Sequence, residues 1–187
     1  TMQHIFAGFP SIAGETPFNQ DLSSWDVSNV TDMRNMFTHS SFNNSSITGW
    51  NTSSCTNMDY MFAGCSGFNQ PIGNWDVSNV TTFNTTFGSS INKPMLFNQD
   101  ISSWNVSGAS AFRQMFEFCT GFNQPIGNWT TTSIYNAGRM LAHCSGFDQD
   151  LSNWNVSTLR FGSYMMLGCT LSTTNYDRIL SGWSPQS

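Results

Sequence analysis

Hydrophobic residues along this chain recur in a short motif whose spacing changes partway through. Around the first tryptophan the apolar positions are Leu22, Trp25, Val27 and Val30. The Trp-x-Val alternation predicts a short strand with both apolar side chains facing inward. From there to Phe37 the apolar spacing becomes i, i+3, i+6 and i+7, which is typical of one buried helical face. Each motif therefore predicts a strand, a turn, a short helix or 3₁₀ segment, and a loop back.

The motif repeats on a fixed period, with spacings of 25, 25, 29, 25, 25 and 29 residues between successive tryptophans. A period of this size is the sequence signature of a solenoid, in which each repeat packs only on its neighbours. The predicted fold class is a repeat solenoid of the leucine-rich-repeat type. Each 25-residue coil would hold one short parallel β-strand and one short helix or 3₁₀ segment. The tryptophans that mark the coils are Trp25, Trp50, Trp75, Trp104, Trp129, Trp154 and Trp183.

The whole chain, residues 1–187, is predicted to form a single domain. Residues 1–17 are interpreted as a partial first coil with an insertion, and residues 18–170 as about six coils. Residues 171–187 would form a C-terminal cap, which opens with the pattern of a capped amphipathic helix. Such a helix can cover the last coil and protect its open backbone edge.

The two ends of the repeat array are predicted to differ. Met2 and Phe6 match Met33 and Phe37 in the repeat, which predicts that the sequence enters in the middle of a coil with no recognisable cap. A second insertion, Asn92 to Met95, falls in the first 29-residue interval and is predicted to bulge from a loop. The N-terminal coil is therefore expected to be open, either to upstream repeats or to another molecule.

Small polar residues beside each tryptophan form two columns that alternate with the buried positions. We expect them to line the outer face of the predicted parallel sheet. An ordered array of hydroxyls and amides suits a glycan or another repetitive polar surface, bound weakly at many points. A solvated face with hydrogen bonds along the axis is the alternative interpretation. The candidate polar binding face comprises Asp26, Asn51, Asp76, Asn105, Thr130, Asn155, Ser28, Ser53, Ser78 and Ser107.

An Asn-Gln pair follows the repeat phenylalanine in most coils, as in Phe68-Asn69-Gln70. Amide side chains at such a turn can satisfy backbone groups locally. Copies stacked on the repeat period can also bond to one another along the axis. The pair is therefore interpreted as structural.

The amino-acid composition argues against some classes of function. Charged residues make up 9% of the chain, against roughly 25% in an ordinary soluble domain. The net charge of −5 and the scattered positions of the 6 lysines and arginines argue against a nucleic-acid partner. No apolar run approaches the ~18 residues that a membrane-spanning helix needs. The sequence therefore predicts neither nucleic-acid binding nor a membrane-spanning segment.

Catalytic and metal-binding constellations are not recognisable in the sequence. His39 and His143 share a column but lie four coils apart, roughly 20 Å at the usual inter-strand spacing. The carboxylates are dispersed, although a pair such as Asp76 and Asp100 offers oxygen ligands of the kind that calcium accepts. Turn chemistry is the better interpretation of those aspartates. We expect no enzyme activity, no catalytic residues, no metal site and no cofactor.

Two kinds of covalent modification stay open. Cys144 and Cys169 share a repeat column, and they are either small buried side chains or a disulfide between neighbouring coils. Most Asn-x-Ser/Thr sequons fall in the repeat register, but Asn43, Asn44 and Asn84 lie outside it. Those three asparagines are the better candidates for glycosylation.

The unit FNQDLSSWDVSNVTDMRNMF at residues 18–37, together with LSTTNYDRILSGW at residues 171–183, resembles the BspA-like leucine-rich-repeat surface proteins. The resemblance covers essentially the whole chain. It implies a curved solenoid on a microbial cell surface, of the kind associated with adhesion and with host or matrix binding. Because a fold does not determine its ligand, this functional implication is an analogy.

The sequence as a whole favours a non-enzymatic extracellular or cell-surface protein. Its expected role is an adhesion or binding module whose solenoid faces contact a glycan or protein on a cell or matrix surface. The alternative is a structural subunit that self-associates at the open N-terminal coil. A head-to-tail contact that does not close would then build a filament or surface layer.

Overall fold

The computed structural model describes residues 1–7 and 17–186, in which the repeats stack one upon another. The one α-helix in this described part of the chain is α1, Thr173–Trp183. Short 3₁₀ helices lie at Ser45–Ile47, Ile126–Asn128 and Ser184–Gln186. The remaining described backbone consists of turns, bends and isolated bridges.

Between residues 32–39 and the equivalent residues of the next repeat, a row of backbone hydrogen bonds runs in one direction. The Met33 N–H donates to the Asn57 carbonyl at 3.0 Å, and the Phe37 N–H donates to the Met61 carbonyl at 2.8 Å. Equivalent rows join the later repeats. One parallel bridge marks each step of the stack, through the column Asp32, Asn57, Thr82, Ala111, Asn136 and Phe161.

The predicted parallel sheet, and with it the leucine-rich-repeat fold class, is wrong, because the described residues contain no β-strand. Backbone pairing stops after a single bridge in each repeat, since the chain turns at once. The Met36 N–H bonds back to the Met33 carbonyl at 3.3 Å, and Asn35 inside that turn has a φ of 57°. A strand needs a run of consecutive extended residues, which a left-handed turn residue interrupts.

The short helix or 3₁₀ segment predicted between Val30 and Phe37 is wrong for the same reason. Its backbone bonds close tight turns over three residues, as from Met36 to Met33, while the N–H groups between them bond to the next repeat. No continuous i→i−4 pattern can form in such a segment. We call these segments the turn ridge: residues 32–39, 57–64, 82–89, 111–118, 136–143 and 161–168.

The tryptophans form a buried column, as the inward-facing motif predicts. From Trp50 onward, each indole N–H donates to a carbonyl of the preceding repeat, as from Trp75 Nε1 to the Ile47 carbonyl at 3.1 Å. The same carbonyl accepts the Trp50 backbone N–H from its own repeat at 3.1 Å, so both of its lone pairs are used. The fully or almost fully buried members are Trp50, Trp75, Trp104, Trp129 and Trp154.

Phenylalanine rings stack in columns beside the tryptophans. The rings of Phe87 and Phe116, from successive repeats, lie 5.6 Å apart at 7°, and those of Phe116 and Phe122, within one repeat, lie 4.1 Å apart at 12°. These rings are buried, and they make one continuous core along the stack. The core therefore depends on each repeat being covered by the next.

The predicted C-terminal helical cap is confirmed as α1. The Ser172 hydroxyl caps it by accepting from the Asn175 N–H at 3.3 Å. On the inner side of α1, Ile179 is buried and Trp183 Nε1 donates to the Leu151 carbonyl at 2.9 Å. The helix thus places its own tryptophan in the position that a further repeat would fill.

The two predicted insertions have different outcomes. The one within residues 1–17 falls mostly at residues 8–16, outside the described part of the chain. The other is a tight loop closed by the Ser90–Lys93 bridge, with Ile91 projecting at 75% exposure. Met95, which was expected to bulge, is instead buried. No helix in the described ranges has the length and apolarity needed to span a membrane.

Candidate functional site

The polar columns predicted to face outward from a sheet lie instead at a row of turns. In one repeat, Asp76 Oδ1 accepts from the Ser78 hydroxyl at 2.7 Å and from the Ser78 N–H at 3.0 Å. These two bonds hold the pKa of Asp76 below its ordinary value. The same Oδ1-to-serine contact recurs at Asp26–Ser28, Asn51–Ser53, Asn105–Ser107 and Asn155–Ser157.

This arrangement leaves the candidate polar face exposed but occupies much of its hydrogen-bonding capacity. Asp26, Asn51, Asp76, Asn105 and Thr130 are exposed, whereas Asn155, Ser28, Ser53, Ser78 and Ser107 are partly covered. Because an oxygen of each acidic or amide side chain already closes a turn, fewer acceptors remain for a ligand. Binding of a glycan to this face stays a prediction.

The structural interpretation of the Asn-Gln pairs is confirmed. Asn69 Oδ1 accepts from the Asn98 N–H at 2.9 Å and from Gln99 Nε2 at 3.0 Å. Asn98 Oδ1 does the same for Asn123 and Gln124 of the following repeat, at 3.0 and 2.8 Å. These side chains bond from repeat to repeat, which makes them part of the scaffold.

The three candidate glycosylation sites differ in the state of the amide nitrogen that would carry a sugar. Asn44 Nδ2 donates to the Asn19 carbonyl at 3.4 Å, and Asn84 Nδ2 donates to Thr82 Oγ1 at 2.8 Å. Asn43 is exposed, and the bonds described for its side chain use Oδ1. Glycosylation stays a prediction, with Asn43 the most accessible of the three.

Cys144 and Cys169 are free thiols in this structure and are not joined in a disulfide. Each Sγ lies against a carbonyl of the preceding repeat, with Cys144 3.0 Å from Phe116 and Cys169 3.2 Å from Leu141. Burial raises the pKa of the Cys144 thiol well above its ordinary value, and it raises the pKa of Cys169 to about 11. Both groups are therefore protonated and weakly reactive at neutral pH.

No group of three or more His, Cys, Asp or Glu side chains among the described residues is placed to hold a metal ion. His39 and His143 do not share a site. His39 packs over Gly64, and the His143 ring stacks on Phe118 with centroids 4.5 Å apart. Asp100, the other carboxylate considered for calcium, closes a turn with the Ser102 N–H at 2.9 Å.

A group of exposed aromatic side chains lies on the outer surface of the last two repeats. Tyr135 is 50% exposed, Phe161 54% and Tyr164 63%. The Tyr135 and Phe161 rings meet edge to face with centroids 5.3 Å apart. The Arg139 guanidinium lies 5.5 Å above the centre of the Tyr164 ring. We call these four residues the aromatic cluster.

A buried carboxylate holds the cation of the aromatic cluster in place. Glu117 is 4% exposed, and its Oε1 accepts from Arg139 Nη1 at 3.1 Å. Gln114 Nε2 donates to the other carboxylate oxygen. Because Glu117 fixes one edge of the guanidinium, the face of Arg139 stays aligned with Tyr164 and less side-chain entropy remains to be lost on binding.

Sequence reasoning missed this cluster, although the repeat contains a signal for it. Phe161 stands in the bridge column that begins with Asp32, and Tyr164 stands in the left-handed column that includes Asn35 and Tyr60. Earlier repeats fill the bridge column with small or polar residues. An aromatic residue that departs from its column, as Phe161 does, therefore marks the exposed surface.

A family model described as "Mycoplasma protein of unknown function, DUF285" matches the chain twice, over residues 1–95 and residues 89–183. The two matches together span nearly the whole chain. They show a repeat protein and are consistent with the coarse resemblance found in the sequence. No curated protein and no solved structure is significantly similar to this chain.

Proposed function

The chain belongs to the DUF285 family, whose function is unknown, and on that premise we propose that it is a non-enzymatic binding module displayed at a cell surface. The observation that carries this proposal is the aromatic cluster. It combines three half-exposed rings with a guanidinium that Glu117 orients. Nothing in the core packing of the repeats requires these rings to be aromatic, since the same columns hold small or polar residues in most other repeats.

The chemistry of the cluster favours a protein as the partner. Tyrosine and arginine are the residue types enriched at the energetic centres of protein interfaces. The two tyrosine rings and the phenylalanine ring of the cluster offer a large, rigid contact area at little cost in conformational entropy. The low charge of the chain, 9% of residues, means that the partner would be selected by shape and apolar contact more than by long-range attraction.

The BspA-like resemblance supports placing this module outside the cell, as an adhesion protein that contacts a host or matrix surface. The polar columns that include Asn105 and Ser107 supply a second, weaker surface for glycans. Repeated weak contacts along such a surface can add up by multivalency.

The test is binding to panels of immobilised matrix proteins, glycans and host cells, measured by surface plasmon resonance and cell adhesion. Tyr164→Ala and Phe161→Ala should each weaken capture by about tenfold or more, as expected for interface hot spots. Ile91→Ala is the matched control, since it removes an apolar side chain that is 75% exposed elsewhere.

A wild-type chain that binds none of the panel would contradict the proposal. Equal loss of binding in the Ile91→Ala control would also contradict it. If Asn105→Ala weakens binding while Tyr164→Ala does not, the polar columns carry the function and the aromatic cluster does not.

A further inference from the structure

A cavity of about 260 Å³ lies at the turn ridge, where segments 32–39, 57–64 and 82–89 meet. Further described residues bond to both flanks of these three segments, residues 1–7 on one side and residues 111–118 on the other. The cavity therefore lies within the stack of repeats. We call it the ridge cavity, and the lining residues that matter for binding are Tyr60, Ala63, Gly64, Thr85, Gly88 and Ser89.

Small residues create the space for the ridge cavity. Ala63 and Gly88 share a repeat column with Glu117. Gly64 shares its column with Phe118. Because side chains as large as those of Glu117 and Phe118 are absent from these two repeats, the surface of the turn ridge is hollow there.

The insertion that lengthens one tryptophan interval to 29 residues supplies a wall of the cavity. Its loop is closed by the Ser90–Lys93 bridge, and both of these residues line the cavity. The Ser89 hydroxyl donates to the Lys93 carbonyl, so the Ser89 oxygen remains able to accept a hydrogen bond. The cavity thus lies where the repeat pattern is broken in two ways, by small side chains and by extra residues.

Thr85 has a backbone conformation and a hydroxyl environment that are unusual in this structure. Its φ is 55°, and it is the one β-branched residue among the described non-glycine residues with positive φ. Thr85 Oγ1 is buried without a hydrogen-bond partner, which is true of no other buried side-chain oxygen or nitrogen in the described ranges. By contrast, Oγ1 of the adjacent Thr86 lies 3.0 and 2.9 Å from the carbonyl oxygens of Met58 and Phe83.

Both features of Thr85 cost free energy. A β-branched side chain is disfavoured at positive φ, and a buried hydroxyl without a partner has lost its bonds to water. Such costs concentrate at binding sites, where a ligand can compensate for them. Because Thr85 lines the ridge cavity, we expect a ligand that supplies a hydrogen bond to its hydroxyl.

The lining of the ridge cavity combines apolar and polar groups in a small space. Tyr60 adds a ring that is 38% exposed, beside the apolar surface of Ala63 and the two glycines. The volume is below the roughly 300–1,000 Å³ that is usual for small-molecule sites, so the cavity suits a ligand of a single ring. A purely apolar ligand would leave Thr85 Oγ1 unsatisfied, and a small ion would leave the apolar surface uncovered. A sugar ring has C–H groups on its faces and hydroxyls around its edge, so it matches both.

We propose that the ridge cavity binds one pyranose ring, as a free monosaccharide or as the terminal unit of a glycan. A face of the sugar packs on Tyr60, and a sugar hydroxyl bonds to Thr85 Oγ1 once Thr85 rotates about χ1. The Ser89 oxygen accepts a second hydrogen bond from the sugar. This site is separate from the aromatic cluster and from the polar columns, so the inference goes beyond the proposed function.

Saturation-transfer NMR and isothermal titration calorimetry of the full chain test this site. The panel holds neutral, N-acetylated and acidic pyranoses, each as the free monosaccharide and as the terminal unit of an oligosaccharide. At least one pyranose should bind, and a comparison of its two forms shows which source the cavity accepts. Thr85→Val and Tyr60→Ala should each weaken binding by about tenfold, because they remove the hydroxyl and the ring. Ile91→Ala, outside the lining, should bind as the wild type does.

Thr85→Val also separates a binding role from a structural one. Valine keeps the β-branched shape and removes only a hydroxyl that has no partner, so the ligand-free variant should melt at or above the wild-type temperature. Thr86→Val is the matched control. It removes a bonded hydroxyl outside the cavity lining, so it should lower the melting temperature and retain sugar affinity. A Thr85→Val variant that is less stable yet binds sugar fully would overturn the proposal.

The ridge cavity and the aromatic cluster can be tested independently of each other. Tyr60→Ala should retain capture by the surface partner, and Tyr164→Ala should retain sugar binding. A wild type that binds no pyranose of the panel at millimolar concentration would overturn the sugar site alone. Sugar binding that survives both Thr85→Val and Tyr60→Ala would place the ligand elsewhere and would also overturn it.

Discussion

The turn ridges of the last two repeats, residues 136–143 and 161–168, have matching apolar columns and very different surroundings. Leu141 and Cys144 are fully buried, while Met166 and Cys169 in the same columns are only partly covered. The two segments also form the same internal turns. Burial in this protein is therefore conferred by the repeat that follows, and a segment's own sequence does not secure it.

Side-chain hydrogen bonds between repeats also depend on the repeat that follows, with one change at the end of the array. Asn123 Oδ1 accepts from the Asp148 N–H at 2.9 Å, as the earlier asparagines do for the next repeat. Asp148 then accepts from the N–H of Ser172, the residue that caps α1, at 2.8 Å. The chain thus passes from repeat to helix through the same acceptor position, now occupied by a carboxylate.

The largest difference in stability between the interior of the stack and its last repeat should appear when one phenylalanine ring is removed from each. Phe116→Ala empties a fully buried site between stacked rings and should cost about 3–5 kcal/mol in the free energy of unfolding. Phe161→Ala removes a ring that is 54% exposed and should change stability by no more than ~0.5 kcal/mol. Urea denaturation followed by tryptophan fluorescence measures both, and comparable losses in the two variants would contradict the proposed difference.

A smaller contrast concerns the ion pair that joins the last repeats. Arg139→Ala leaves the Glu117 carboxylate buried without its cation and should cost about 1–2 kcal/mol, moderated by the partial exposure of Arg139. Glu117→Ala should cost less, because Ala63 and Ala142 fill the same column in other repeats and the site accommodates a methyl group. Unfolding of the single and double variants gives the coupling energy, and a greater loss for Glu117→Ala would contradict this ranking.

The sequence correctly predicted the features that depend on the repeat period. It failed for the features that local backbone geometry determines. The spacing of the tryptophans gave the stacked repeats, and the Ser172-capped segment gave α1. The spacing from Val30 to Phe37 suggested a helix, but consecutive three-residue turns place apolar side chains inward at nearly the same intervals. Those turns place residues such as Asn35, Tyr60 and Thr85 in the left-handed region of backbone conformation. Because most of the left-handed residues are not glycines, the local sequence did not indicate the turns.

The candidate sites also divide into features that the repeat period predicts and features that it does not. The Asn-Gln bonds follow from side chains repeated at a constant register, and they were predictable. The aromatic cluster depends on which residues depart from the repeat pattern in the last repeats, as Phe161 does in the bridge column. Its exposure also depends on the repeat stack ending there, which composition and spacing do not reveal.

The bonds between repeats can be probed inside the array at Asn98. Asn98→Ala removes the acceptor for the Asn123 N–H and for Gln124 Nε2, and it should cost about 1 kcal/mol because the site is solvent-exposed. Asn98→Asp keeps an oxygen in place, as Asp148 does naturally in the same column, and should retain most of the stability. Equal losses in the two variants would show that the acceptor oxygen contributes little.

The smallest effect is expected at the end of the array, where Asp148 meets α1. The Ser172 N–H is the main cause that holds the pKa of Asp148 below its ordinary value, followed by the Asn175 amide. Its contribution to stability is therefore complete above the ordinary aspartate pKa of about 3.9 and is lost as pH falls through the lower folded pKa. The protection factors for amide hydrogen exchange at Ser172 and Asn175, which correct for the intrinsic exchange rate at each pH, should fall over that acidic range in the wild type. Asp148→Asn should flatten this dependence while Asp76→Asn, in an interior turn, leaves it intact; the same pH dependence in the Asp148→Asn variant would show that α1 is not held through this carboxylate.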